Sequence, residues 1–367
     1  MTDEQVAAPA AGRGDGRVGS GNAGTRTSLR VLAVSIGPLI AALVLGGILL
    51  LAMGFNPFSY YAYVVQRAIM SPSGIEATLT RMGPLLLIAA SLIVAFRAGI
   101  WNLGGDGQYL LGAVFVAATV PLTLNLLPVW ANLLLGLLVG AAVGAIWGLL
   151  PAILKASQGI NEIITTLMMS FLGVSLANVL VKLAFLDPAT TTPQTRTLPV
   201  EARLPRLFET SISSGLLIGL AAVIAVHLVM TRTSFGMRLR LVGANPRAAV
   251  HAGLSVPMLT VAVFAISSAL AGLSGAVDIL GTHGNVRADW NPAYGLTVVP
   301  LVFLARLNGF GSIAYVFLFS ALTIGGESAA RRIGVPSFFS LVIVAILLIM
   351  LGLAEYLDKR HQERARF

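Results

Sequence analysis

The fold class this sequence predicts is all-α: a polytopic transmembrane helical bundle of about ten spans, with an inverted repeat and interrupted helices. Three observations predict it. Charged residues make up 11% of the chain and hydrophobic residues 56%, against about 25% charged in a soluble domain. Apolar runs recur along the whole length, and a crossing needs roughly 20 residues. Two glycine-rich stretches interrupt those runs at corresponding places. Ten spans would use up nearly all of the 367 residues. Any energy-supplying module is therefore expected on another chain.

Residues 1–30 are rich in Gly, Ala and Arg and poor in large apolar side chains, so they read as a disordered cytoplasmic tail. Span one, 31–53, is too long for a signal-peptide core and lacks a small-residue cleavage site, so it should stay as an anchor. The further spans are expected at 82–96, 109–127, 130–154, 163–185, 212–230, 258–280, 297–304, 313–324 and 338–354. The second, eighth, ninth and tenth of these are short. A transmembrane domain at 31–355 would then be followed by a cytoplasmic tail at 356–367. Span four carries Gly136, Gly140, Gly144 and Gly148, a small-residue stripe that lets another helix approach closely. Ser268, Ala271, Gly272 and Gly275 form a shorter stripe in span seven, and both are read as packing inside one chain.

With the N-terminus inside, 15 of the 24 Lys and Arg residues fall on inner segments and 9 on outer ones. Basic residues favour the cytoplasmic side, so both termini are expected there. The same bias, with attraction to anionic lipid, accounts for the net charge of +9. Nucleic-acid binding is a poor reading, because the arginines are dispersed over several loops rather than gathered in one stripe.

The loop at 231–256 holds Arg232, Arg238, Arg240 and Arg247 and no acid. Asn245, Pro246 and Gly253 read there as N-cap, first helical residue and stop of a helix of about two turns. A short, deliberately ended helix on the inner face is a docking element and implies a partner on that side.

The first break, 97–108, places Gly99, Gly104, Gly105 and Gly107 within nine residues, which suits a helix poorly. Broken backbone at membrane depth survives only where it is buried in protein or lines a wet cavity. Asn102, Asp106 and Gln108 are therefore candidate pathway residues, as is Asn285 in the second break at 281–295. The bland reading makes both breaks ordinary turns. Asp278 is an acid inside a span, either facing a cavity or snorkelling to the outer interface. His227 reads as a packing histidine. With no Cys, no His-Glu-x-x-His helix and no Gly-x4-Gly-Lys loop, thiolate sites, a zincin-type metal site and ATP hydrolysis by a phosphate-cradling loop are not expected. No cofactor is expected in the chain.

Four stretches resemble one family: 97–112 (RAGIWNLGGDGQYLLG), 159–168 (GINEIITTLM), 233–253 (TSFGMRLRLVGANPRAAVHAG) and 268–284 (SALAGLSGAVDILGTHG). In this order they resemble permease subunits of bacterial ABC importers, in the simple-sugar and nucleoside branch of the ribose and branched-chain amino acid permease family. The resemblance runs over residues 55 to 350. It implies that Gly236, Arg238, Arg240, Gly243, Asn245, Pro246, Ala249 and Gly253 belong to the element that couples to the ATPase, together with Asn161 and Glu162. It also implies two ATP-binding cassette subunits, a second permease subunit, homologous or identical, an extracytoplasmic substrate-binding protein, and a multi-pass location in the bacterial plasma membrane. The family motif more often has Glu where this chain has Asp106, and the stretch 305–311 (ARLNGFG) departs from the family's usual turn. Asp278 stands where nucleoside-type members often carry Glu.

The expected function is inward movement of a neutral polar solute, a nucleoside or simple sugar. Asn178, Thr165, Thr166, Ser170, Ser175, Ser267 and Ser268 supply neutral polar groups in the spans, whereas an anionic substrate would want an arginine aimed at it. An ion-coupled secondary carrier would also show broken helices, but should carry several intramembrane acids. A membrane-embedded lipid-modifying enzyme would need a clustered metal or carboxylate constellation.

Overall fold

The computed structural model describes residues 21–336 and 338–364. Caps and prolines set its helix starts. α1 (Gly21–Ala52) is followed by α2 (Pro57–Val65) and α3 (Pro72–Arg97), the last two each opening on proline behind a capping side chain. Asn56 Oδ1 accepts from Phe58 N at 2.9 Å, and Ser71 Oγ accepts from Gly74 N at 3.2 Å. The chain continues as α4 (Gly105–Thr123), α5 (Val129–Gln158), α6 (Glu162–Val179), α7 (Gly215–Arg232), α8 (Ser234–Ala244), α9 (Pro246–His251), α10 (Val256–Asp278), α11 (Tyr294–Thr297), α12 (Val299–Leu304), α13 (Gly309–Ile333) and α14 (Phe339–Arg364). Wider π-helical turns extend α2, α6 and α10 through Gln66–Met70, Leu180–Ala184 and Ile279–His283. Among the described residues β pairing is limited to the isolated bridges Gln194 to Arg287 and Arg206 to Ser213.

Among the described residues six helices are long and apolar enough to cross a bilayer: α3, α5, α6 and α10 with their π turns, α7 and α13. That is fewer than the ten spans expected. The eighth expected span, 297–304, is split between the short helices α11 and α12, which cannot cross continuously. The second and ninth spans depart the other way, since α3 starts ten residues before 82 and α13 runs nine residues past 324. Their extra turns hold Arg81 and Glu327, charges that ended the apolar runs in the sequence. The two charges satisfy each other, Nη1 to Oε1 at 2.6 Å. At the termini, residues 1–20 of the expected first tail lie outside the described residues, and Gly21 to Arg30 continue α1. The expected second tail is helical as far as Arg364.

Burial separates a centre from a shell. The most apolar window of α3 is 83% buried against 22% for those of α5 and α6, and α4 is buried along nearly its whole first three turns. The predicted glycine stripe explains how α5 joins this centre. A Cβ at Gly144 would lie 2.3 Å from Ser268 O, and one at Gly272 would lie 2.2 Å from Gly140 O, so α5 and α10 meet backbone to backbone within one chain. The opposite face of α5 exposes Leu134, Leu138, Ile146 and Leu150. Those side chains suit lipid tails.

Two ends follow from specific contacts. Arg97 donates from Nε and Nη2 to Leu307 O at 3.2 and 2.9 Å. A Cβ at Gly99 would lie 2.9 Å from Gly243 Cα. The α3–α4 turn, α8 with α9, and the α12–α13 turn therefore share one end of the bundle, the α9 end. The 25 residues of α13 rise about 1.5 Å each and carry the chain to the far end, where α2 and the start of α3 lie.

Candidate functional site: an exposed short helix, two broken segments and a polar cavity

The short helix forms as its sequence predicts. Asn245 has an extended backbone, and its Oδ1 accepts from Ala248 N at 3.1 Å. Pro246 is the first helical residue, and Gly253 ends the segment at a φ of 79°, a conformation that glycine adopts without steric cost. Arg238, Arg240, Arg247, Met237, Leu241 and Val250 are exposed along α8 and α9. Ala249 and Gly243 instead face their own chain. Ala249 is only 2% exposed, and a Cβ at Gly243 would meet Arg97 O and Ala98 C at 2.8 Å. Gly236 lies equally close to α7, its Cβ position falling 2.4 Å from Val229 O. Glycine and alanine thus hold α8 and α9 against the bundle, while arginine and apolar side chains look outward. Asn161 and Glu162 cap another turn at α6, with Asn161 Oδ1 accepting from Ile163 N at 2.9 Å and Glu162 paired with Lys155 at 2.7 Å.

The first break is packed in protein. Asn102 is its hub: Nδ2 donates to Ser267 Oγ at 2.9 Å, while Oδ1 accepts from Gly104 N at 3.2 Å and from Gln108 Nε2 at 3.1 Å. Thr166 and Ser170 of α6 accept from the backbone of Leu103 and Gly107. Within the non-helical segment 98–104 the N–H groups of Ala98, Gly99 and Ile100 turn back to carbonyls of α3, while Leu103 N and Trp101 O meet Thr166 Oγ1 of α6, so that buried peptide groups find partners as a low-dielectric setting requires. Helix resumes at Gly105, four residues earlier than expected, so Asp106 lies in the first turn of α4. Its Oδ1 accepts from Gly295 N at 2.6 Å, which joins the first break to the end of the second. Asn102, Asp106 and Gln108 are all buried.

Asp278 occupies different surroundings. It closes α10 and receives hydrogen bonds from the Tyr109 hydroxyl and, at 3.2 Å, His283 Nδ1. A cavity of about 300 Å³ opens beside it, walled by Thr80, Arg81, Thr282, His283, Tyr294 and Ile324 among others. That is the lower end of the range for small-molecule pockets, about 300 to 1,000 Å³. Asn102, Asp106, Gln108 and Asn285 are not among its walls. Asn285 stands in the second break, where its Nδ2 donates to Thr197 Oγ1 at 2.9 Å. Aromatic rings back the site, Tyr109 against Tyr294 at 5.5 Å and His283 against Trp290 at 4.8 Å. Sequence reasoning missed Arg81, Tyr109, Tyr294 and Glu327. A charge interrupting a span was the signal for Arg81 and Glu327; the tyrosines offered none. His227 packs as expected, its ring 4.7 Å from Phe310.

The arrangement can hold a hydroxylated molecule through donors and acceptors of both kinds. The comparisons bear on the chain as a whole. Residues 74–351 match the family described as Branched-chain amino acid transport system / permease component. The glucose ABC transporter permease protein TsgB13 of Haloferax volcanii is 33% identical, the alignment covering 88% of this chain and 87% of that one. The nucleoside ABC transporter permease protein NupB of Lactococcus lactis is 28% identical over 86% and 90%. The guanosine ABC transporter permease protein NupP of Bacillus subtilis is 28% identical over 88% and 93%. Permeases of this kind are transporter subunits rather than enzymes, so the lipid-modifying reading falls, and the ABC class takes the place of an ion-coupled carrier. A chain that matches this family over most of its length, with its short capped helix presented at one end of an apolar bundle, belongs to the ABC transporter permease family of the branched-chain amino acid type.

Proposed function

We propose that the chain carries a neutral, hydroxylated solute, a nucleoside or a simple sugar, inward across a bacterial plasma membrane. Two separate ATP-binding subunits dock at the α9 end and hydrolyse the ATP, no cofactor being held by the permease itself. An extracytoplasmic binding protein delivers the solute at the far end, and a second permease subunit completes the membrane unit. In this reading both termini are cytoplasmic.

The observation that carries the reading is α9. A six-residue helix is too short to be stable alone, yet it is capped at both ends, and Arg247 and Val250 on it are exposed. An amphipathic segment so presented suits a groove on a partner. The choice of solute is supported by the relatives named for glucose, nucleoside and guanosine and by the hydroxyl-matching groups around Asp278. Broken helices at the centre support a route between Asn102, Asp106 and Gln108 that opens when the two halves move.

Copurification of the chain with its neighbouring gene products, followed by uptake assays with labelled nucleosides, pentoses and branched-chain amino acids, tests the proposal. ATPase copurification with nucleoside or sugar uptake is the expected result. Uptake confined to amino acids would overturn the choice of solute.

A further inference from the structure

At the far end a second, larger cavity of about 800 Å³ is lined by Tyr63, Gln66, Arg67, Ser71, Ser328, Arg331 and Arg332. Three arginines share it, and no acid is among its walls as far as the described residues go. Glu327, the residue before Ser328, is already committed to Arg81. Arg332 lies over the Tyr63 ring at 5.7 Å, while Arg67 and Arg331 are exposed. In the orientation proposed above, on which this inference rests, the far end is external. Three of the nine outer basic residues then converge on one cavity, against the charge bias that sets topology.

We infer that this cavity binds the phosphate of an anionic phospholipid in the outer leaflet. Guanidinium groups match phosphate oxygens in paired hydrogen bonds, and Ser328 and Gln66 bring a hydroxyl and an amide to the same wall. The rim selects lipid over protein. Val65, Ile69 and Met70 are exposed on the same turn as Gln66 and Arg67, whereas the rim of a protein interface is polar. Arg331 and Arg332 lie in the last turn of the membrane-crossing α13, where a headgroup sits.

The complete importer, stripped of lipid, is titrated with dioleoyl phosphatidylglycerol or dioleoyl phosphatidylcholine and read by native mass spectrometry. The glycerol lipid is expected to bind about tenfold or more tightly than the choline lipid. Arg67→Gln with Arg331→Gln should abolish that preference, and Arg196→Gln, on a different outer loop, should keep it. Arg67→Lys with Arg331→Lys retains charge and should retain part of the preference, which separates lost binding from lost folding. Equal binding of the two lipids by the unaltered importer would overturn the inference. So would displacement of the glycerol lipid by millimolar inorganic phosphate, which would mark a free-anion site. A preference that survives the Gln pair, with binding-protein stimulation of the ATPase lost, would assign the cavity to an acidic protein surface and refute the lipid. Impermeant labelling of Ser71→Cys tests the orientation separately: phosphatidylglycerol preference with only internal labelling would keep the site and fail the proposed topology.

Discussion

Gly243→Ala adds one methyl group at the contact between α8 and the α3–α4 turn, and the structure states what that methyl would meet. Its carbon would lie 2.8 Å from Arg97 O and Ala98 C and 2.9 Å from Gly99 N. All three are backbone atoms, so no side chain can rotate aside. Restoring ordinary contact requires α8 to withdraw by roughly 0.6 Å or more, and overpacking of this kind costs about 1–3 kcal/mol. The strain falls at the root of α9 and not in the centre of the bundle. Membrane insertion and yield should therefore be unchanged, while coupling between ATP hydrolysis and transport should fall about 5- to 150-fold, the range that such an energy spans. The assay is paired measurement of ATPase rate and solute uptake in vesicles holding the complete importer. Full uptake by the Gly243→Ala importer would refute the reasoning, since α8 would then not be held rigidly against the turn.

Ala249→Trp should displace α9 from its own chain, because Ala249 is buried there, and loss of ATPase copurification with retained insertion checks this. The chain has no cysteine, so single cysteines report cleanly: at Asn102, Asp106 or Gln108 they should resist an impermeant thiol reagent in the resting importer, whereas Thr282→Cys in the cavity beside Asp278 should react. Ready labelling at Asn102→Cys would contradict the packed break. Gly272→Leu should abolish folded protein, given the 2.2 Å to Gly140 O, while Leu138→Ala on the exposed face of α5 should leave thermal stability in detergent nearly unchanged. Arg81→Leu and Glu327→Leu should each destabilise more than the double variant, and additive losses in a double-mutant cycle would deny the pairing.

Much of this was legible because single residues carry strong local meaning. Asn245-Pro246 and Gly253 state a cap, a start and a stop with no reference to the rest of the chain, and α9 forms between them. The glycines four apart in α5 could be read as a close contact, and the partner, α10, carries small residues in answer. Span ends were illegible where tertiary partners decide them. Arg81 and Glu327 look like helix ends until each is known to face the other, and a hydropathy window cannot see a contact 246 residues away. The cavity at Asp278 escaped for the same reason: Tyr109 reads as an ordinary aromatic in an apolar run, and only the packing of α4 on α10 brings its hydroxyl to the acid. The break at Asn102 was visible, but its burial depends on Thr166, Ser170 and Ser267, drawn from two other helices.

Asp106 is a rivet through two segments that the chain makes separately. It stands in the first turn of α4, behind the first break, and its carboxylate grips the amide of Gly295 at the end of the second. A Cβ at Gly105 would lie 3.1 Å from Gly295 Cα, so the segments touch closely enough for the short Asp to reach across. Whatever rearrangement carries a solute past them, α4 and the α11 turn must travel as one piece or break a buried, charge-assisted bond. The moving parts of the importer are then fewer than its helices, with the seams to be sought around this pair and not through it.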